Sequence, residues 1–189
     1  MKCLLPVLTA VCLLPAAARA ADQYRVDPVH SSVVFRVKHL NVGYSYGRFN
    51  DIGGGLVLDE QNAAACAFEL QLKADSIDTG NAKRDGHLKG PDFFNVKEFP
   101  TISFKSREVK PGKAANTYEV SGELSLHGVT RLVTVQLQRV GSGNDPFGGY
   151  RTGFETNFSI RRSEFGMTGM QGPVGDDIWL LVSFEAVKQ

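Results

Sequence analysis

The sequence predicts an all-β fold made of antiparallel strands with one dry face each, and two observations carry that reading. Apolar and polar residues alternate with period two in about eight separate segments, which sends successive side chains to opposite faces of a strand. The chain also holds 12 Phe and 20 Gly and very few long helix-forming runs, a composition that favours β structure.

Val33, Phe35 and Val37 alternate with Val34, Arg36 and Lys38. Phe68, Leu70 and Leu72 alternate with Glu69, Gln71 and Lys73 in the same way, and Val133, Val135 and Leu137 with Thr134, Gln136 and Gln138. Leu124 and Leu126 add another dry face, as do Phe154, Phe158 and Ile160, the run Ile178, Leu180, Val182 and Phe184, Ile102 with Phe104, and Phe49 with Leu56 and Leu58. Turn-forming stretches are expected at Gly53-Gly54-Gly55, Pro111-Gly112-Lys113 and from Gly141 to Pro146. Such strands must either close on themselves or pack as two sheets; a closed ring of eight has an interior that side chains fill or that holds one small ligand. The segment TGNAKRDGHLKGPD, residues 79–92, breaks the alternation. It reads as a short helix with Thr79 or Asn81 as N-cap and Gly90-Pro91 as its stop, forming a lid near residues 80–92.

Residues 1–20 have the layout of a cleaved signal peptide: Lys2, an apolar stretch from Leu4 to Ala18, and Ala18-Arg19-Ala20 before the expected cut. The apolar stretch is too short to span a membrane, so the expectation is export to the periplasm as a single domain over residues 21–189. Lys2 and Arg19 leave with the signal, so 21 Lys and Arg become 19 against 20 Asp and Glu, and the formal charge moves from +1 to −1. Near-neutrality over the whole chain gives no electrostatic reason to expect nucleic acid or an anionic membrane surface as partner. Cys3 and Cys12 leave too; Cys66 is then a single thiol, read as a buried small hydrophobe.

Six ordered blocks resemble the YceI-like family. They are Asp27-Pro28-Val29-His30-Ser31; Val37-Lys38-His39-Leu40 followed by Gly47-Arg48-Phe49; Ser76-Ile77-Asp78-Thr79; Arg84 to Lys89 running into Asp92-Phe93-Phe94 and Phe99-Pro100; Gly122 to Thr130; and Asn144 to Gly149. Two departures are Leu132, where the family usually has Pro, and the loose Gly53 to Gly55 run. The resemblance implies an eight-stranded, lipocalin-like barrel that binds a polyisoprenoid, an isoprenoid quinone or a fatty-acid derivative. No cofactor beyond such a bound lipid is required by this reading.

Alternation leaves a filled core and a cavity equally open; the resemblance implies a tunnel, with Phe35, Phe49, Phe68, Leu70, Phe94, Phe104, Leu126, Phe154 and Phe158 as candidates for its wall. Arg84 and His87, with Lys89, are candidates for a head group at the mouth, against the alternative that Arg84 and Asp85 simply pair. His30, His39, His87 and His127 lack the close spacing of a metal site, so no metal is expected. Acid–base pairs can be drawn from Asp85 with His87, His127 with Ser125, or Ser31 with His30, but no nucleophile elbow, P-loop or dinucleotide fingerprint is present. A non-catalytic carrier is therefore expected. The alternatives are a promiscuous amphiphile-sequestering protein and, more remotely, an enzyme using Asp85 and His87. Pairing of two barrels into a homodimer is left open.

Overall fold

The computed structural model describes residues 21–189, so the expected signal segment lies outside the described residues. Ten strands appear: β1 (Asp22–His39), β2 (Gly43–Phe49), β3 (Ile52–Leu58), β4 (Ala67–Lys73), β5 (Ile77–Asp78), β6 (Thr101–Pro111), β7 (Thr117–Leu126), β8 (Val129–Asn144), β9 (Tyr150–Arg161) and β10 (Val174–Lys188), with helix α1 (Ala82–Leu88) after β5. Eight of them form a closed antiparallel ring, β1-β3-β4-β6-β7-β8-β9-β10, shut by the ladder between β10 and β1. β1 does double duty because it is long. Its first residues pair with β3, Asp22 opposite Leu58, whereas its second half pairs with β2, Phe35 opposite Gly47. β2 and the two-residue β5 thus extend the ring at one end.

The period-two reading holds strand by strand: in β7, buried Val120, Gly122, Leu124 and Leu126 alternate with half-buried neighbours. The turn expectations fare differently. Gly53 to Gly55 lie within β3, and the chain turns at Asn50 and Asp51 instead, which separates Phe49 on β2 from Leu56 and Leu58 on β3. The glycines serve close approach: Gly54 has φ +137°, and a Cβ there would sit 2.1 Å from the Glu69 carbonyl oxygen of β4. Gly141 to Asn144 likewise continue β8. The turn is confined to the residues after Asn144 because Asp145 Oδ1 accepts the N–H groups of Phe147 and Gly149, each at 2.9 Å. The expected lid is a shorter helix than residues 80–92, capped by Asn81, whose Oδ1 accepts from Arg84 N at 3.0 Å.

The barrel is not packed evenly. Towards one end Phe154 stacks on Phe184, with ring centroids 5.4 Å apart, and meets Phe68 edge-on at 5.4 Å; Leu58 and Ala186 complete a solid core there. On β10 the inward residues change from buried Val182, Phe184 and Ala186 to half-buried Ile178 and Leu180 towards the α1 end. Cys66 is buried and free, bonded to the Asp59 backbone, and burial pushes its thiol pKa up.

Where the β1–β10 ladder is interrupted between Asp27 and Ser32, a polar network takes over. Arg151 donates to Asp27 at 2.5 Å, to Asp145 at 2.9 Å and to Glu185 at 3.3 Å, and His30 Nδ1 lies 2.8 Å from Asp27 Oδ2. Asp27 belongs to the first strand and Asp145 to the β8–β9 turn, so one guanidinium ties the kink of β1 to a distant hairpin. Among the described residues the interior also holds a buried hydroxyl without a partner. Thr156 faces inward between Phe154 and Phe158, is 7 % exposed, and its buried Oγ1 has no hydrogen-bond partner.

Two outcomes follow from these polar groups. Arg151, then His30, hold the Asp27 carboxyl far below its ordinary value of 3.8, so its contribution is complete above pH 4 and is lost as acid titrates the folded protein. Asp27→Asn is expected to lower stability at neutral pH by about 1.5–3 kcal/mol and to flatten the acid limb of a urea-midpoint profile; an unchanged profile would show that the network is idle. Thr156→Val replaces an unpartnered hydroxyl with a methyl group of similar size and is expected to raise stability by about 1 kcal/mol. A lower urea midpoint would mean that the hydroxyl is bonded in solution.

Candidate functional site

At the α1 end the dry faces of the ring no longer meet, and they line a partly open cavity of about 170 Å³. Phe35, Phe49, Phe68, Leu70, Phe104, Leu126 and Phe158 line it from the strands, and Phe94 from the turn after α1. Phe154 does not; it is 1 % exposed and sealed in the solid half, between Phe68 and Phe184. Leu88 and Phe93, from α1 and the turn after it, roof the cavity.

The roof is held by aromatic and polar contacts. Phe94 meets Phe49 edge-on with centroids 5.6 Å apart, and Phe49 in turn packs on Phe35 at 5.8 Å. The Phe35 ring lies over Gly47 of β2, where a Cβ would come within 2.4 Å of Phe35 Cζ and 2.8 Å of Thr79 Cγ2, so a larger residue there would displace the ring or Thr79. Thr79 anchors the helix. Its N–H and hydroxyl donate to Asp85 Oδ1 at 2.9 and 2.5 Å, while Arg84 donates to Thr79 Oγ1 and to its carbonyl oxygen at 2.7 Å each. Arg84 and Asp85 therefore both grip Thr79, where a direct pair between them was the simple expectation.

A second, more open cavity of about 470 Å³ adjoins the first and shares Phe35, Val37, Leu88, Phe93 and Val174 with it. Its rim carries Lys83, Arg84 and His87 of α1, His39 of β1, Ser45 and Tyr46 of β2, and Met170. Arg84 and His87 thus stand at the mouth and not in the tunnel. Lys89 lines neither cavity.

Among the lining residues that the sequence does not single out, Thr156 and Arg162 escape it for different reasons. Thr156 occupies an inward position of the Phe154-to-Ile160 alternation and was legible in principle. Arg162 was not, because its environment is non-local: it is 3 % exposed, and it donates to the carbonyl oxygens of Met167, Gly169, Val174 and Gly175 at 2.7–3.0 Å. Desolvation pushes its pKa down. Its donors pin the loop before β10, and its guanidinium lies 6.0 Å from the Phe93 ring centroid.

The drawn acid–base pairs are engaged elsewhere. Asp85 binds Thr79, whereas His87 Nε2 is 3.3 Å from Asp92. Ser31 donates to the Asp27 carbonyl and accepts from Glu185 N, and His30 meets the Asp27 carboxylate. Ser125 pairs with Thr130, and His127 with the Phe165 carbonyl. Among the described residues, one group of potential metal ligands converges, Asp27, His30 and Glu185 within 4.8 Å, and the Arg151 guanidinium already bonds two of its three members. No described helix is long and apolar enough to cross a membrane.

Known proteins share both the sequence and the architecture. A UPF0312 protein of Yersinia enterocolitica is 40 % identical over 189 residues, spanning 99 % of this chain and 97 % of the relative. The crystal structure of Burkholderia cenocepacia BcnA aligns with a TM-score of 0.77 at 24 % identity, covering 85 % of this chain and 98 % of that one. The Campylobacter jejuni YceI protein aligns at 0.71 and 27 %, covering 80 % and 90 %. A polyisoprenoid-binding domain from Saccharophagus degradans aligns at 0.67 and 16 %, covering 88 % and 98 %. The YceI-like domain matches residues 24–186, nearly the whole described barrel, and the chain belongs to the YceI-like family.

Proposed function

We propose that this chain is a non-catalytic periplasmic carrier that holds the tail of a polyisoprenoid, an isoprenoid quinone or a fatty-acid derivative inside its barrel. The observation that carries the reading is the apolar cavity adjoining a cation-bearing mouth, with Phe35, Leu88 and Phe93 in the wall of both. The signal-like residues 1–20 support the compartment, and the polyisoprenoid-binding domain of the same fold supports the ligand class.

The energetics favour long tails. Each enclosed methylene contributes about 0.8 kcal/mol, so roughly ten carbons are needed to offset the lower part of the ~4–15 kcal/mol lost on association. Half-buried wall residues such as Leu70, Phe104 and Phe158 border that space, and a long tail that fills it runs on towards the mouth. Lys83, Arg84 and His87 are placed to meet a phosphate, carbonyl or hydroxyl head there. Inside, few polar groups discriminate one tail from another, which favours tolerance among tails of similar girth.

The test is native mass spectrometry of protein purified from its own cell envelope, followed by solvent extraction. One isoprenoid or acyl species per barrel is expected. Leu124→Trp, which fills the cavity from β7, is expected to keep the β spectrum and to lower uptake of added polyprenol or ubiquinone at least about tenfold. Ligand-free protein that takes up neither lipid would overturn the proposal.

A further inference from the structure

The hairpin of β1 and β2 has a composition that the tunnel does not use. From Pro28 to Asn50 the chain contains no acidic residue, while Arg36, Lys38 and Arg48 are all present. The register puts these cations on the outer face of the barrel: Arg36 lies opposite Tyr46 and Trp179, Lys38 opposite Tyr44, and Arg48 opposite Val34, while Phe35 and Val37 point inward. The Arg36 guanidinium is sandwiched between the Tyr44 and Trp179 rings, 4.8 Å from each centroid, and its buried Nε has no hydrogen-bond partner. Among the described residues, neither Arg36 nor Lys38 forms an ion pair. Arg48 stands across from Asp78 of β5.

The hairpin tip is apolar and held in costly backbone. Leu40 and Asn41 have φ of 50° and 57°, and Leu40 and Val42 are 55 % and 89 % exposed. Met170, with φ of 49° and also exposed, belongs to the loop that receives Leu40 through the Leu40 N to Pro173 O bond of 2.7 Å. Tyr46 and Met170 are themselves part of the tunnel mouth. Behind the apolar tip, Tyr44, Tyr46 and Trp179 share one band with Lys38 and Arg36, and such a mixed band suits a lipid–water interface, where aromatic rings sit at head-group level and Lys and Arg meet anionic phosphates.

We propose that the β1–β2 hairpin docks this barrel on an anionic phospholipid surface, with Leu40 and Val42 entering the acyl boundary and Arg36 and Lys38 meeting phosphate, so that the tunnel mouth faces the bilayer. The charge pattern selects this occupant over a second copy of the chain: two such faces brought together would set cations against cations with no acid on either hairpin. In naming the source and destination of the ligand, the inference rests on the carrier reading. Its binding test needs no tunnel ligand.

The purified protein is mixed with phosphatidylcholine vesicles containing phosphatidylglycerol, and separately with pure phosphatidylcholine vesicles, and each mixture is floated. Binding is expected to the anionic vesicles and to weaken with salt. Removing each charge, in Arg36→Gln and Lys38→Gln, is expected to lower partition about five-fold, and L40S/V42S about tenfold. L40S/V42S is also expected to take up polyprenol from cyclodextrin as the unaltered protein does while losing uptake from vesicles. Equal partition to both vesicle types, indifference to L40S/V42S, or a dimer that L40S/V42S dissolves without any vesicle binding would overturn the docking proposal and leave the tunnel reading intact. Loss of cyclodextrin uptake in the unaltered protein, with vesicle binding retained, would instead sink the carrier reading alone.

Discussion

The ladder between β10 and β1 closes the sheet, and most of what this chain can do depends on that closure. Without it, eight strands with one dry face each would leave open edges and a broad apolar surface in water. With it, every inward side chain shares one interior. The ladder is not continuous. It breaks after Asp27, and the Arg151 network holds the two strands together across the break, linking β1, β10 and the β8–β9 turn through one guanidinium. A charged clasp at a strand interruption preserves the ring where backbone pairing lapses.

Closure alone makes a barrel; the grading of side-chain contacts along its axis makes a site. At one end Phe68, Phe154 and Phe184 interlock, and the interior there behaves as a protein core. At the other, residues from the same strands face one another across a gap roofed by Leu88 and Phe93. The filled core and the tunnel, alternatives at the level of sequence, are the two halves of one interior. The solid half anchors the fold, while the α1 end keeps a gap between its walls. The latch formed by Thr79, Asp85 and Arg84 attaches α1 through a few polar bonds, while the ring is joined by continuous ladders.

Local rules made much of this legible. Period-two alternation located the strands and assigned Val33, Phe35, Leu124 and Val135 to the inner face, because the pleat alone decides which way a strand residue points. Asn81 was readable as a cap for the same reason, since its partner Arg84 N is three residues away. Glycine misled. Gly53 to Gly55 have the composition of a turn, and only the approach of the Glu69 carbonyl from β4 shows why they belong in a strand. Phe154 and Phe158 carry the same local signal, yet one is sealed in the core and the other lines the tunnel. That difference is set by residues far away in the chain, as is the carbonyl cage around Arg162.

The claim that the guest lies inside the barrel is most directly tested by methyl NMR on protein titrated with geranylgeraniol. The account predicts shifts at the inward methyls of Leu70, Ile102, Leu124 and Leu180, with the outward, exposed Leu132 and Val140 unchanged. Shifts confined to Leu132 and Val140, with the inner methyls still, would place the lipid on the outside of the ring and contradict it.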